Sequence, residues 1–247
     1  MVPEFVTPVS PRRLHRRTML QDWCGVSFLH WAVDPASVAA RLPAGTVPDV
    51  TDGVTYVGLV LFRMRRVRLP REPGLPYLRT FCEVNVRLYS VDVHGRRGVV
   101  FLSLDAARLL AVLVGRLGTR LPYRWSRMRQ WRSGSVVSYR SRRRESGPDT
   151  ASVRASVSVA GKVRQPTAVE RFVTARWGLH VRCGGRTWYL PNDHEEWPLH
   201  RARLLDLDEN LVESAGVAVL DREPVSVLYS PGVSVRFGTP LPVDPDC

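Results

Sequence analysis

The sequence predicts an α+β fold, mostly antiparallel β, and three observations carry that prediction. Segments with the two-residue apolar period of strands recur along the 247 residues and outnumber those with helical spacing. Compact turn signals separate them: TDG at 51–53, HGRRG at 94–98 and GG at 184–185. The helical stretches are short, and neither an internal repeat nor a linker divides the chain, so about ten strands and four short helices belong to one domain. Residues 1 to 17, rich in proline and arginine, form a flexible arm, and residues 18 to 247 form the domain.

Taken in order, LQDWCGVSFLHWAV from Leu20 reads as a strand packed on both faces. Asp34 is an N-cap with Pro35 at the first helical position, so DPASVAARLP makes a short helix ending before Pro43. The turn at 51–53 leads into the buried strand VTYVGLVLFRM. FCEVNVRLY, 81–89, is the next strand. Its even positions, Cys82, Val84, Val86 and Leu88, are apolar, whereas its odd positions set Glu83, Asn85 and Arg87 between Phe81 and Tyr89. That second face is either a wet outer surface or the wall of a pocket.

The tip at 94–98 closes a hairpin onto VVFLSLDA, and Asp105 caps a helix through DAARLLAVLVGRLG, stopped by Gly115 or Gly118. Two strands follow near 135–140 and 151–159. Thr167 and Glu170 form a capping box for the next helix. LHVRC and RTWYL pair across the Gly-Gly turn, Pro198 opens a last helix through Arg203, and VSVLYS and VSVRFG end the chain as strands.

With 44% hydrophobic and 24% charged residues the chain buries a large core and is not disordered. No apolar run is long enough to span a membrane and no signal core precedes Leu20, so a cytoplasmic protein without membrane attachment is expected. Cys24, Cys82, Cys183 and Cys247 stand far apart with no zinc spacing, which points to reduced, mostly buried thiols. HEEW at 194–197 lacks the second histidine of a helical zinc motif, and no phosphate-binding, dinucleotide or nucleophile-elbow motif occurs. No metal or cofactor is expected.

A net charge of +13 ordinarily suggests a nucleic-acid partner. Lys162 is the only lysine, however, and arginine supplies 35 of 36 basic residues, the signature of a GC-rich genome. Local clusters occur only at 11–17, 63–71 and 139–144, with weak aromatic interleaving. A solvated basic surface is the expectation, and nucleic acid is disfavoured as a partner.

Several segments taken together resemble the YqjF-like family of the acetoacetate decarboxylase-like superfamily. They are DWCGVSFLHWAVDPASVAARLPAGTVPDVTDGVTYVGLVLF, FCEVNVRLYSVDVHGRRGVVFLSLDA, RLPY and NDHEEWPLHRA, in the family's order and spacing. The resemblance covers nearly the whole chain from Leu20. It implies a curved antiparallel sheet closed into a cone-shaped double β-barrel around a cavity, with a few short flanking helices. In decarboxylases of the superfamily a strand glutamate and a lysine about forty residues later face that cavity, and the lysine forms a Schiff base. By order and spacing Glu83 matches the glutamate, whereas Tyr123, after Pro122, stands where the lysine would be. A phenol forms no imine, so acetoacetate decarboxylase activity is not expected unless the fold brings Lys162 inward.

The resemblance turns the ambiguous face of 81–89 inward. Glu83, Asn85 and Arg87 then either satisfy one another or grip a carboxylate ligand, with Arg87 as the bidentate group. Glu83 is a candidate acid or base, Tyr123 a pocket donor or a core tyrosine, and His194 a proton shuttle or a residue fixing the turn beside Trp197. His30 reads as a core or pocket-rim residue, and Trp197 as core or lining. The leading expectation is a binding domain for a small organic acid or carbonyl metabolite. The alternatives are a Schiff-base-free lyase, tautomerase or cyclase using Glu83, Tyr123 and His194, and a basic nucleic-acid-binding protein. Assembly into a homo-oligomer, common in the superfamily, is left open.

Overall fold

The computed structural model describes residues 2–70, 80–109, 112, 121–144 and 150–243. Thirteen strands form one sheet: β1 (Met19–Val33), β2 (Thr46–Pro48), β3 (Thr55–Arg68), β4 (Thr80–Asp92), β5 (Arg97–Ala106), β6 (Tyr123–Ser133), β7 (Val136–Arg143), β8 (Ser152–Lys162), β9 (Gly178–Cys183), β10 (Arg186–Asp193), β11 (His200–Glu209), β12 (Ser226–Phe237) and β13 (Leu241–Pro242). Three described helices flank it: α1 (Pro35–Val38), α2 (Ala168–Thr174) and α3 (Leu211–Ser214). None of them is long and apolar enough to cross a membrane.

The sheet forks twice. β5 pairs along its length with β4, but on its other edge it meets β9 at Val99 and β6 at Leu104–Ala106. β12 likewise runs beside β1, and its other edge pairs β11 at Leu228 and Tyr229 and β10 at Arg236 and Phe237. Two closed rings result. Nine strands, β4-β5-β6-β7-β8-β11-β12-β1-β3, form the larger, and seven, β4-β5-β9-β10-β12-β1-β3, the smaller. The five shared strands are a wall between two interiors, which confirms the double barrel. Closure also removes the exposed edges a twisted sheet would otherwise present.

A wall strand has no wet face, so its residues are buried in sequence rather than alternately. The first eight residues of β3 are all buried, and β4 is buried at every position from Glu83 to Asp92. Val84, Val86 and Leu88 pack into the larger ring with Leu29, Leu59, Leu61, Val137 and Val157. The opposite face of β4 looks into the smaller ring.

Local signals account for most junctions. The Asp34 carboxylate accepts from Ala36 N–H at 3.1 Å to start α1, which tightens into a 3₁₀ turn at Ala39–Arg41. Thr167 and Glu170 form the expected capping box on α2. Gly184 and Gly185 both take positive φ in the β9–β10 turn. Residues 2–18 carry no helix or strand, and Arg12 in this segment pairs with Glu4 and donates to Tyr189 Oη at 2.6 Å.

Three expectations are corrected, and one strand was not anticipated. Pro198 starts no helix: His200–Glu209 is β11, because the edge of β8 needs a partner and the alternation of Ala202, Leu204 and Leu207 supplies one. VSVLYS and VSVRFG are a single strand bent at Pro231-Gly232. Asp105 caps no helix among the described residues. It lies in β5 and accepts from Arg143 at 3.0 Å and Ser126 at 2.9 Å. Most of the helix expected after it lies outside the described residues. β6 was not anticipated, because its inward positions Ser126, Met128 and Gln130 give almost no apolar period.

Gly232 has φ +130°, and a Cβ there would lie 1.9 Å from the Trp23 carbonyl oxygen. Gly232→Ala is therefore expected to cost on the order of 3 kcal/mol and to lower the melting temperature by about 10 °C in a thermal scan.

Candidate functional site

The smaller ring encloses a cavity of about 180 Å³. Phe101, Leu104, Leu179, Leu190, Val235 and Phe237 contribute apolar walls, and five of the seven residues singled out from the sequence bear on the site directly: Glu83, Arg87, Tyr123, His194 and Trp197 all line it. Asn85 and His30 do not. Arg176, which sequence reasoning missed, does.

Glu83 and Arg87 share a face of β4 but lie four residues apart, roughly 13 Å along a strand, so they do not pair. Glu83 meets Tyr123, whose hydroxyl donates to Oε2 at 3.4 Å. Burial is the main force on Glu83 and pushes its carboxyl up to about 8; Tyr123 opposes that shift and Asp105 adds to it. Burial, then Glu83, raises Tyr123 well above the usual phenol range. Near neutral pH this end of the cavity therefore holds two uncharged O–H groups. Asn85, between Glu83 and Arg87, is fully buried and neither of its amide atoms has a hydrogen-bond partner. The three residues do not satisfy one another, which was one of the two alternatives the sequence left open.

The other end is cationic. Arg87 donates through Nε to Tyr89 Oη at 3.1 Å and through Nη2 to the Val173 carbonyl at 3.0 Å. That carbonyl belongs to the last turn of α2, where helix carbonyls lack intrahelical donors. The β4–β5 register shifts beside Arg87, with Leu102 of β5 as the extra residue, while β4 itself stays in regular register with β3. No carboxylate pairs with Arg87 among the described residues. Arg176, just past α2, donates to Phe172 O at 2.7 Å and to Asp49, and its guanidinium lies over the Phe172 and Tyr89 rings at 4.2 and 4.9 Å. Its Nη2 has no partner although the residue is only 4% exposed. Asp49 is shared with Arg97 at 2.6 Å, so one carboxylate serves two guanidiniums around this end and leaves Arg87 to neutral acceptors.

His30 lies behind the cationic end rather than on it. Tyr89 donates its only proton to Val173 O at 3.0 Å, so the 2.6 Å contact between Tyr89 Oη and His30 Nε2 has the imidazole as donor. His30 Nδ1 is then the lone-pair nitrogen, and it is unpartnered. Burial first, then Arg87 and Arg176, holds His30 well below the usual imidazole range, so it is neutral. Gly58 makes room for this contact: a Cβ there would come within 2.9 Å of His30 Nε2 and 3.1 Å of Tyr89 Oη.

His194 stands between the rings of Trp177 and Trp197 at 4.5 and 5.0 Å. Its Nδ1 donates to the Glu195 carbonyl at 2.6 Å, and burial lowers its value to about 4. Near neutral pH it is an uncharged imidazole whose Nε2 is an acceptor. Trp23 lines the same cavity, with an indole N–H that has no partner. Lys162 is exposed at the end of β8 and is not among the lining residues. No cluster suited to a metal ion occurs among the described residues.

Residues 20–234 match a family model described as DUF2071, uncharacterized conserved protein. The chain belongs to the DUF2071 family. Within reach of this DUF2071 chain is the uncharacterized protein YqjF of Bacillus subtilis, 27% identical over 207 residues that cover 84% of this chain and 85% of that protein. Among solved structures, the enduracididine biosynthesis enzyme MppR complexed with pyruvate is similar with a TM-score of 0.64 at 14% identity, covering 95% of this chain and 93% of that one. An acetoacetate decarboxylase-like enzyme from Sphingomonas wittichii RW1 is similar with a TM-score of 0.62 at 15% identity, covering 98% and 99%. These likenesses establish the fold of the DUF2071 chain as acetoacetate decarboxylase-like.

The Glu83 carboxyl makes a signed prediction. Its folded value lies above the ordinary 4.5, so stability is complete below about pH 4.5 and is lost as pH rises toward 8, where the folded carboxyl ionises. Glu83→Gln removes that loss. Its unfolding free energy, followed by thermal scans across pH, is expected to match the wild type near pH 4.5 and to exceed it progressively above that, by up to roughly 5 kcal/mol near pH 9.

Proposed function

We propose that the cavity binds a small organic acid carrying an apolar body, its carboxylate held by Arg87 and Arg176 and its other polar group facing Glu83 and Tyr123. The observation that carries this reading is the uncompensated positive charge. Taking a guanidinium out of water costs several kcal/mol unless an anion or a full set of hydrogen bonds replaces the water. Arg87 has no acid, Arg176 shares its own with Arg97, and Arg176 Nη2 is unpaired. A carboxylate is the planar anion that suits guanidinium donors. The apolar remainder of the walls selects the rest of the molecule, and the uncharged Glu83–Tyr123 pair suits a carbonyl or hydroxyl. The similarly folded MppR has been solved with pyruvate, a carboxylate with an adjacent carbonyl, which supports this class.

A second reading rests on the Glu83–Tyr123 contact. A carboxyl with a value of about 8 is poised to give or take a proton near neutrality, so Schiff-base-free lyase, tautomerase or cyclase chemistry fits the same pocket. Glu83 would exchange the proton, Tyr123 would hold the reacting oxygen, and His194 Nε2 would be the second acceptor. Imine chemistry is not part of either reading, because the position of the superfamily's lysine carries Tyr123 and Lys162 faces solvent.

Native mass spectrometry on the purified chain is expected to show a co-purifying acid, or to show one bound after incubation with a panel of 2-oxo acids. Arg87→Met is expected to weaken that binding about 10- to 100-fold with the fold retained by circular dichroism. Amines of matching shape binding as tightly as the acids would overturn the reading. Incubation with acetoacetate is expected to release carbon dioxide no faster than a protein-free control, and added borohydride is expected to leave Lys162 unmodified.

A further inference from the structure

The larger ring carries a second feature that the cavity does not explain. On β6 the outward positions are Trp125, Arg127, Arg129 and Trp131, and on β7 they are Ser138, Arg140 and Arg142. Pairing sets Arg127 directly opposite Arg142, and Arg129 opposite Arg140, which in turn stands opposite Arg154 of β8. Like charges directly opposite on a sheet destabilise it. Nothing nearby neutralises the first four: among the described residues none of Arg127, Arg129, Arg140 and Arg142 has a carboxylate partner, and all four are exposed. The array ends at Arg154, which is paired with Asp206 at 3.0 Å.

Two tryptophans frame the array. Trp125 is 36% exposed and Trp131 42%. Arg144 lies over the Trp125 ring at 4.4 Å and Arg129 over Trp131 at 5.7 Å. Trp131 also borders a cleft with Arg63, Arg65 and Arg132, which continues the positive surface past the end of β6. Read along the chain the arginines are scattered; strand pairing gathers Arg127, Arg129, Arg140 and Arg142 onto one face.

We propose that this outer face of β6 and β7 binds single-stranded nucleic acid. Same-face residues on a strand repeat every 6.6–6.8 Å or so, with about 4.8 Å between strands, so the four guanidiniums form a grid that can follow the phosphates of an extended strand. Each phosphate neutralised removes part of the mutual repulsion and releases counterions. The exposed indoles offer stacking faces to bases, and only unpaired bases have a face free to stack. A duplex would satisfy the arginines and leave both rings unused. This inference is independent of what the cavity holds.

Fluorescence anisotropy of the full chain with a labelled oligothymidylate of about twenty nucleotides tests it. Binding is expected to weaken with salt between about 50 and 200 mM, with a log–log slope of roughly −3 for four phosphates. Arg140→Glu with Arg142→Glu is expected to weaken binding on the order of 100-fold and flatten the slope, whereas the double lysine variant keeps most of both. Trp131→Ala is expected to weaken binding about tenfold with little change in slope, and Trp131→Phe to retain it. All are surface changes, so ligand binding in the cavity stays as in the wild type, and the charge-reversed variant melts no lower than the wild type because it relieves the facing arginine pairs. Binding that survives the charge reversal, no binding at 50 mM salt, tighter binding of a duplex of equal length, or retention on phosphatidylserine vesicles without retention of the oligonucleotide would each overturn the proposal.

Discussion

Because β5 and β12 change partners along their lengths, the five strands between the two rings have an interior on either side, and this double burial decides what their side chains can do. A strand that would show one wet face in a sandwich here shows none. Every polar group on β4 must find a protein partner, a ligand or nothing. Val84, Val86 and Leu88 resolve this by filling the larger ring, while Glu83, Arg87 and Tyr89 face the smaller one. Gly58 on β3 is the local adjustment that lets His30 and Tyr89 meet in the little space remaining.

The resulting cavity is electrically uneven. At one end Asp49 is shared between Arg97 and Arg176, and Arg87 leans on a helix-end carbonyl and a phenol. At the other, burial keeps Glu83 protonated near neutral pH beside Tyr123. The two ends reinforce each other: with Glu83 uncharged, no carboxylate competes for the guanidiniums. His30 takes part without touching the cavity, since a neutral imidazole donating to Tyr89 Oη fixes the phenol that Arg87 also uses. The same chain resolves its surface arginines differently, by spreading them over the outer face of the larger ring.

Much of this was legible in the sequence. The caps of α1 and α2, the Gly-Gly hairpin and the apolar first half of β3 rest on local rules, and the structure keeps them. The polar face of 81–89 was legible as a pattern but not as inside or outside, since periodicity does not say which side of a sheet has water. Only the whole-chain resemblance turned it inward. Arg176 left no signal, because a lone arginine after a capped helix looks like an ordinary surface residue until β4 is known to pass beneath it. β6 was hidden for a related reason: its inward positions are Ser126, Met128 and Gln130, and its outward ones are arginine and tryptophan. β11 was misread because Pro198 suggested a helix start, and the claim of β8 on a partner strand was stronger.

Arg176, with one Nη2 unpartnered, and Arg87, without a carboxylate among the described residues, leave the smaller ring short of negative charge, which the proposed ligand supplies. The most direct test is a crystal structure of the chain grown with a 2-oxo acid at saturating concentration. The account predicts a carboxylate within about 3 Å of Arg176 Nη2, on the Arg87 side of the cavity, with Glu83 and Tyr123 facing the opposite end of the molecule. A cavity filled only with water, or an acid bound with its carboxylate toward Glu83, would contradict it.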